Sequence, residues 1–150
     1  MADFQKLVVE EVYKETKDTV AVTFNVPESL HEEFQYKQGQ YLNLKKDING
    51  EDVRRSYSLC SSPVDNKWQV AIKKIKGGVF STYANEVLKA GDILEVAAPD
   101  GNFFVEIDQT KPNNYIVFAA GSGITPILSI IKTHLTLEPN ATVQLFYLNR

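Results

Sequence analysis

Cysteine is nearly absent from these 150 residues: Cys60 stands alone. No internal disulfide can form, and neither a four-thiolate iron–sulfur site nor a structural zinc site can be assembled from one thiol. Histidine is almost as scarce, and His31 and His134 are too far apart in sequence to suggest a metal pair, so both are read as surface or packing residues. A basic balance is missing as well. The formal net charge of -3 argues against a general nucleic-acid binder, although it leaves room for a local positive pocket. There is no apolar run long enough to span a bilayer, and Met1 is followed by Ala2, Asp3, Phe4 and Gln5 rather than by a basic-then-apolar leader. These absences predict a cytoplasmic protein with no membrane partner, no nucleic-acid partner and no metal ligands. With 43% hydrophobic residues the chain can bury one core or two small ones.

What is present begins as short strands. Residues 4–13 and 19–26 carry Val, Phe and Thr between polar positions, with residues 14–18 as the polar connection, and predict a hairpin that Pro27 ends. Residues 29–34 fit a helical turn. Gly39 precedes a strand over 41–45, in which Leu42 and Leu44 share a face, and Asn49-Gly50 turns the chain into a strand over 53–60. Residues 68–74 alternate, with Trp68, Val70 and Ile72 on one side, and residues 93–97 make a sixth strand. Strands this short, at this spacing, predict a closed antiparallel barrel without free edges. Between the last two strands Gly77 and Gly78 break the pattern. A helix is predicted over 80–89, with Ser81 or Thr82 able to cap it and Gly91 to stop it.

After Lys111 the character changes. Residues 115–120 are continuously apolar, as in a strand covered on both faces. A glycine turn and an apolar helix over 126–137 follow, with Thr125 suited to the cap and Pro126 to the first helical position. Residues 142–148 form a second buried strand. One β-α-β unit of this kind needs further strands and a second helical layer, so the 150 residues read as a piece of a larger protein. The division falls at 1–108 and 109–150.

Three stretches carry chemistry. Arg55 and Tyr57 lie two apart on a strand, hence on one side, beside the hydroxyls of Ser56 and Ser58. A guanidinium and a phenol so placed can meet a ligand that is charged at one point and flat at another. The segment Gly77, Gly78, Val79, Phe80 and Ser81 lets backbone approach an anion at a helix start. Gly121, Ser122, Gly123, Thr125 and Pro126 form a strand-to-helix turn suited to a pyrophosphate, without being the dinucleotide fingerprint G-x-G-x-x-G. Singly, each has a plainer use: a packed tyrosine, a solvated arginine, or an ordinary glycine turn with a capping serine.

Together, and in this order with Gly91-Asp92 and Pro99-Asp100-Gly101-Asn102-Phe103, these motifs resemble the ferredoxin reductase-like FAD/NAD(P)H flavoprotein superfamily over essentially the whole chain. Within it they are similar to the reductase subunits of phenylacetyl-coenzyme A epoxidases. The resemblance implies an all-β six-stranded antiparallel flavin-binding barrel with a small helix, then the first β-α-β unit of an α/β nicotinamide-nucleotide-binding domain. It implies FAD as cofactor, NADPH or NADH as donor, a [2Fe-2S] centre outside this chain, and an oxygenase component as electron acceptor, in aromatic-compound degradation. By the same resemblance Arg55 would hold a flavin phosphate, Tyr57 would lie on the flavin ring and Ser58 near its N5. Gly78, Val79 and Ser81 would receive the pyrophosphate, and Thr125 would lie where nicotinamide and flavin meet. Tyr147-Leu148-Asn149-Arg150 is similar to the family's Y-G-N-R, which approaches the adenosine ribose, but Leu148 departs from the glycine. A flavin or ferredoxin reductase with another outlet stays open, as does a non-catalytic interaction barrel, against which Arg55, Tyr57 and Ser81 argue. The under-covered β-α-β unit is expected to self-associate.

Overall fold

The structure, a computed structural model, describes residues 3–149. β1 (Phe4–Thr16) and β2 (Thr19–Asn25) pair as the expected hairpin. β3 (Tyr41–Ile48) and β4 (Glu51–Ser58) form a second one. Its two-residue loop, Asn49-Gly50, holds both residues at positive φ, 54° and 85°, the backbone that lets a tight hairpin follow the strand twist and that these two residue types tolerate best. β5 (Trp68–Lys73) alternates as expected, with Trp68, Val70 and Ile72 buried. β6 (Ile93–Ala97) sits between β1 and β3. The six strands are all antiparallel to their neighbours, in the order β4-β3-β6-β1-β2-β5, and enclose a core that includes Leu7, Val22, Phe24, Leu42, Leu44 and Leu94.

The expected closed barrel is not what forms. β4 and β5 are the two edges of an open sheet. Just past the end of β4 a single isolated bridge joins Leu59 to Val70, and the Cys60 amide donates to the Gln69 carbonyl at 2.9 Å. The physical cause lies in the next residues. Ser62 and Asp65 cap a short turn at Pro63–Asp65, which takes the chain off the line of β4 before a ladder can extend. The helix α1 (Val79–Glu86) occupies the opening instead, with Phe80 and Ala84 buried. Its Asn85 Nδ2 donates to the Ile72 carbonyl of β5 at 3.0 Å. A covering helix, rather than closure, deals with the edge.

β7 (Asn114–Ala120) and β8 (Thr142–Leu148) pair in parallel around α2 (Ile124–Leu137), the expected β-α-β unit. Their burial differs from the expectation of strands covered on both faces: Phe118 is 73% and Leu148 76% exposed, because α2 is the single helix of the described residues that packs on this pair. Thr125 does not cap α2. A turn at Gly121–Gly123 leads into the helix, and the Thr125 hydroxyl donates back to the Ser122 carbonyl at 3.0 Å. Pro126 is the third helical residue rather than the first, still within the turn whose amides lack internal acceptors. Among the described residues no helix is long and apolar enough to cross a membrane.

The turn that carries the chain into β3 is tightly constrained. Gly39 has φ of +99°, and a Cβ there would stand 1.8 Å from the Phe103 carbonyl oxygen and 3.2 Å from Ile130 Cδ1 of α2. Gly39→Ala therefore combines a left-handed strain with a steric clash and should destabilise the fold by at least about 2 kcal/mol. Urea denaturation midpoints of the two proteins check this, and equal midpoints would contradict it.

Candidate functional site

Partners across an antiparallel ladder share a face, and β4 pairs Arg55 with Leu44 and Tyr57 with Leu42. Both leucines are fully buried, yet Arg55 is exposed and Tyr57 only half-buried. The reason is the open edge: beyond β4 the inner face of the sheet has no next strand. The Tyr57 ring lies 5.9 Å from that of Phe80, tilted by 34°, so α1 backs one side of it. Burial pushes the Tyr57 phenol up, and the nearby Arg55 charge opposes that shift. Arg55 donates to the Arg54 carbonyl at 2.6 Å, and among the described residues no carboxylate pairs with it, whereas its neighbour Arg54 binds Asp52 at 2.7 Å. Ser56 and Ser58 alternate to the other face. The Ser56 hydroxyl donates to Asn43 Oδ1, and half-buried Ser58 lies opposite Tyr41. The structure thus brings Arg55 and Tyr57 together and sends the two serine side chains away from them.

The start of α1 is built from two glycines with different reasons. Gly77 has φ of +77°, while a Cβ on Gly78 would stand 2.4 Å from Ser81 Oγ and 2.6 Å from Ile75 Cγ1. The expected cap is absent. Ser81 Oγ accepts from the Ile75 amide at 3.2 Å and donates to the Gly78 carbonyl at 3.4 Å, so it braces the loop and no side chain caps the helix. The first-turn amides of Val79, Phe80 and Ser81 are consequently free for an outside acceptor. Phe80 and Ser81 are buried and Val79 is exposed. A cavity of about 600 Å³ opens here, with Ile48, Gly77, Gly78, Val79, Thr82 and Tyr83 in its lining; neither Arg55 nor Tyr57 lines it.

A third region lies at the start of α2. Gly121, Ser122 and Thr125 line a cavity of about 420 Å³ together with Lys17 and Asp18 of the first hairpin loop and Lys73 of β5. The Tyr147 hydroxyl donates to the Gly121 carbonyl at 3.1 Å. Gly123 is exposed and Pro126 half-buried; Arg150 lies outside the described residues. Sequence reading missed Lys17, Asp18 and Lys73, which carry no local motif and reach the glycine turn only through the fold, whereas Tyr147 belongs to the stretch 147–150 singled out above. Cys60 is buried, its Sγ donates to the Gln69 carbonyl at 3.4 Å, and burial pushes the thiol up, which suits a structural thiol better than a nucleophile.

Comparison with known proteins accords with this architecture. A family described as oxidoreductase FAD-binding domain matches residues 6–105. One component of the 1,2-phenylacetyl-CoA epoxidase of Escherichia coli K12 is 44% identical over 150 residues, covering 100% of this chain and 42% of that protein. The ferredoxin reductase component of 3-ketosteroid-9-alpha-monooxygenase from Rhodococcus rhodochrous is 39% identical over 147 residues, covering 96% of this chain and 40% of that protein. Among solved structures, phthalate dioxygenase reductase, described as a modular structure for electron transfer from pyridine nucleotides to [2Fe-2S], superposes with a TM-score of 0.77 at 27% identity, over 98% of this chain and 44% of that one. The chain thus spans about two fifths of the length of these curated relatives. A match over two thirds of the residues, with the same fold, establishes that the chain belongs to the oxidoreductase FAD-binding domain family of ferredoxin reductase-like flavoproteins.

Proposed function

We propose that the parent protein is an electron-transfer reductase carrying electrons from NADPH or NADH through FAD to an oxygenase component. In this reading residues 1–108 form the flavin domain and 109–150 begin the nicotinamide-nucleotide domain. A [2Fe-2S] outlet belongs outside these residues, whose one cysteine cannot ligate a cluster. The names of the epoxidase and monooxygenase relatives support an oxygenase as acceptor and aromatic-compound breakdown as the setting. A cytoplasmic location goes with a nicotinamide-nucleotide donor.

The observation that carries the proposal is the exposed Arg55 and half-buried Tyr57 on a sheet face that is otherwise core. A guanidinium without a carboxylate partner, an aromatic face and a helix start without a cap are the donor set that a dinucleotide flavin requires, so the residues fit the group. Bound FAD supplies the chemistry, taking up a hydride as an electron pair and giving electrons up singly. Arg55 holds the pyrophosphate from one side, as a charge-assisted donor. The backbone of Gly77, Gly78, Val79, Phe80 and Ser81 holds it from the other, where the helix dipole adds to the amides. Tyr57 supports the ring face and shields it from water. Ser56 and Ser58 contribute through their backbone or after a rotamer change. Gly121, Ser122, Gly123, Thr125 and Pro126 receive the nicotinamide nucleotide, with Arg150 toward its ribose.

Two outcomes are expected. Arg55→Ala, measured by flavin fluorescence titration, should weaken FAD binding about 10- to 150-fold, the equivalent of roughly 1.5–3 kcal/mol, with little change in thermal stability because the residue is exposed. An unchanged dissociation constant would remove Arg55 from the site. Mass spectrometry of the cofactor released from the full-length protein should find FAD rather than FMN, since the two phosphate-directed features suit a pyrophosphate. Anaerobic stopped-flow mixing with NADPH and NADH then tests the electron-transfer reading itself: no bleaching of the flavin band with either would overturn it.

A further inference from the structure

At the C-terminal end of α2 lies a buried polar cluster that the proposed chemistry leaves unused. His134, Glu138 and Gln38 are 1%, 2% and 5% exposed, and they come from both halves of the molecule. On the nucleotide side, Glu138 Oε1 stands 2.9 Å from His134 Nδ1, and the Tyr115 hydroxyl lies 2.9 Å from each carboxylate oxygen. The Asp108 amide donates to Glu138 Oε1 at 3.1 Å and Asn113 Nδ2 to Oε2 at 3.3 Å. Burial pushes the Glu138 carboxyl up, but the bonds from the Asp108 amide, Tyr115, His134 and Asn113 together outweigh it and hold the group below its ordinary range. An ionised carboxylate only accepts, so His134 Nδ1 carries a proton, shared with the Tyr115 oxygen at 3.1 Å. The other ring nitrogen faces the flavin half. Nε2 is 3.3 Å from Gln38 Nε2 and 3.2 Å from the Val105 carbonyl, and Gln38 Nε2 itself donates to that carbonyl at 2.7 Å.

An apolar contact in this place would tolerate sliding, because dispersion has little directional preference. A buried network does not, since every displaced donor or acceptor costs its desolvation. Two further bonds tie α2 to the flavin half: Ser62 to Thr133 at 2.7 Å between hydroxyls, and Lys132 Nζ to the Cys60 carbonyl at 3.3 Å. These keep the helix attached. The His134 cluster adds directional bonds in the same turn, and together with the packing of Ile130 against Gly39, one turn nearer the N-terminus, it supplies the second point that determines a tilt. From His134 to Thr125 is roughly 13 Å along the axis, so a rotation of about 4° about the cluster moves Thr125 by about 1 Å. Displacement on that scale in a hydride-transfer site can cost about 100-fold in rate.

We propose that His134 and Glu138 are positioning residues that, through Gln38 and Val105, set the tilt of α2 on the flavin half and thereby place Thr125 and its glycine turn for hydride delivery. The inference rests on the reading of that turn as the nicotinamide site, and it assigns to the cluster a role in transfer rather than in flavin binding.

The test uses the full-length flavin-loaded protein and two variants that cut the link from opposite sides, His134→Gln and Gln38→Met. Both should keep FAD content, and the nucleotide dissociation constant should change by less than about twofold. The rate of flavin reduction at saturating nucleotide should fall about tenfold or more. Hydrogen exchange should show lost amide protection in residues 37–40 and 124–137, with β1 to β6 unchanged. Reduction within about twofold of wild type would overturn the proposal, as would protection lost uniformly across β1 to β6, which marks a merely structural role. If the wild-type protein is reduced by neither nucleotide, the electron-transfer reading falls, and hydrogen exchange alone decides: unaltered protection of α2 in both variants rejects the positioning role.

Discussion

The gap between β4 and β5, and the helix that fills it, is the constraint on which this structure depends. Had the sheet closed, Arg55 would have pointed into the interior beside Leu44, and a guanidinium without a partner there would have cost several kcal/mol. The chain avoids that cost by leaving β4 at an edge and wedging α1 against it. Phe80 then completes the core from the helix side and backs the Tyr57 ring. The same arrangement that seals the apolar interior leaves one charged and one aromatic side chain reachable from solvent. Fold and site are consequences of a single omission in the ladder.

Local electrostatics follow from the same geometry rather than from the overall balance. The chain carries net negative charge, and several of its cations sit in surface pairs such as Arg54 with Asp52 and Lys74 with Glu86, each worth little on its own. Arg55 escapes this pairing because alternation turns it to the face away from Arg54 and Asp52. Separately, α1 begins with uncapped amides, because its own serine has turned aside to brace the Ile75–Gly78 loop. An anion-binding site can therefore exist on an acidic protein, and formal charge would not reveal it.

Several of the ties between α2 and residues 1–108 are polar. A hydroxyl pair, a lysine on a carbonyl and the His134 cluster hold α2 in place, and Gly39, having no Cβ, leaves room for the Ile130 side chain of α2. Directional bonds of this kind favour one orientation over a range of nearby ones, a property that alignment of two bound nucleotides across the junction would need.

Much is legible in the residues because it is local. Asn49-Gly50 specifies its turn by tolerance of positive φ, the Trp68, Val70 and Ile72 alternation specifies a half-buried strand, and Gly77-Gly78 and Gly121 to Gly123 mark the two strand-to-helix breaks. Arg55 and Tyr57 can be put on one face because strand periodicity is fixed by the pleat. The closed barrel cannot be decided that way, since whether β4 meets β5 depends on a turn at Pro63–Asp65 and on where α1 packs. Ser81 and Thr125 look like caps from sequence and are not, because a hydroxyl has several acceptors and donors within reach, and only the folded loop selects among them. His134 is the extreme case. A lone histidine on an amphipathic helix says nothing about Gln38, 96 residues away, or the Val105 carbonyl, 29 away. Periodicity and turn chemistry act over a few residues and are written in the sequence; edge pairing, hydroxyl partners and buried polar clusters are settled by long-range packing, and so only the tertiary structure decided them.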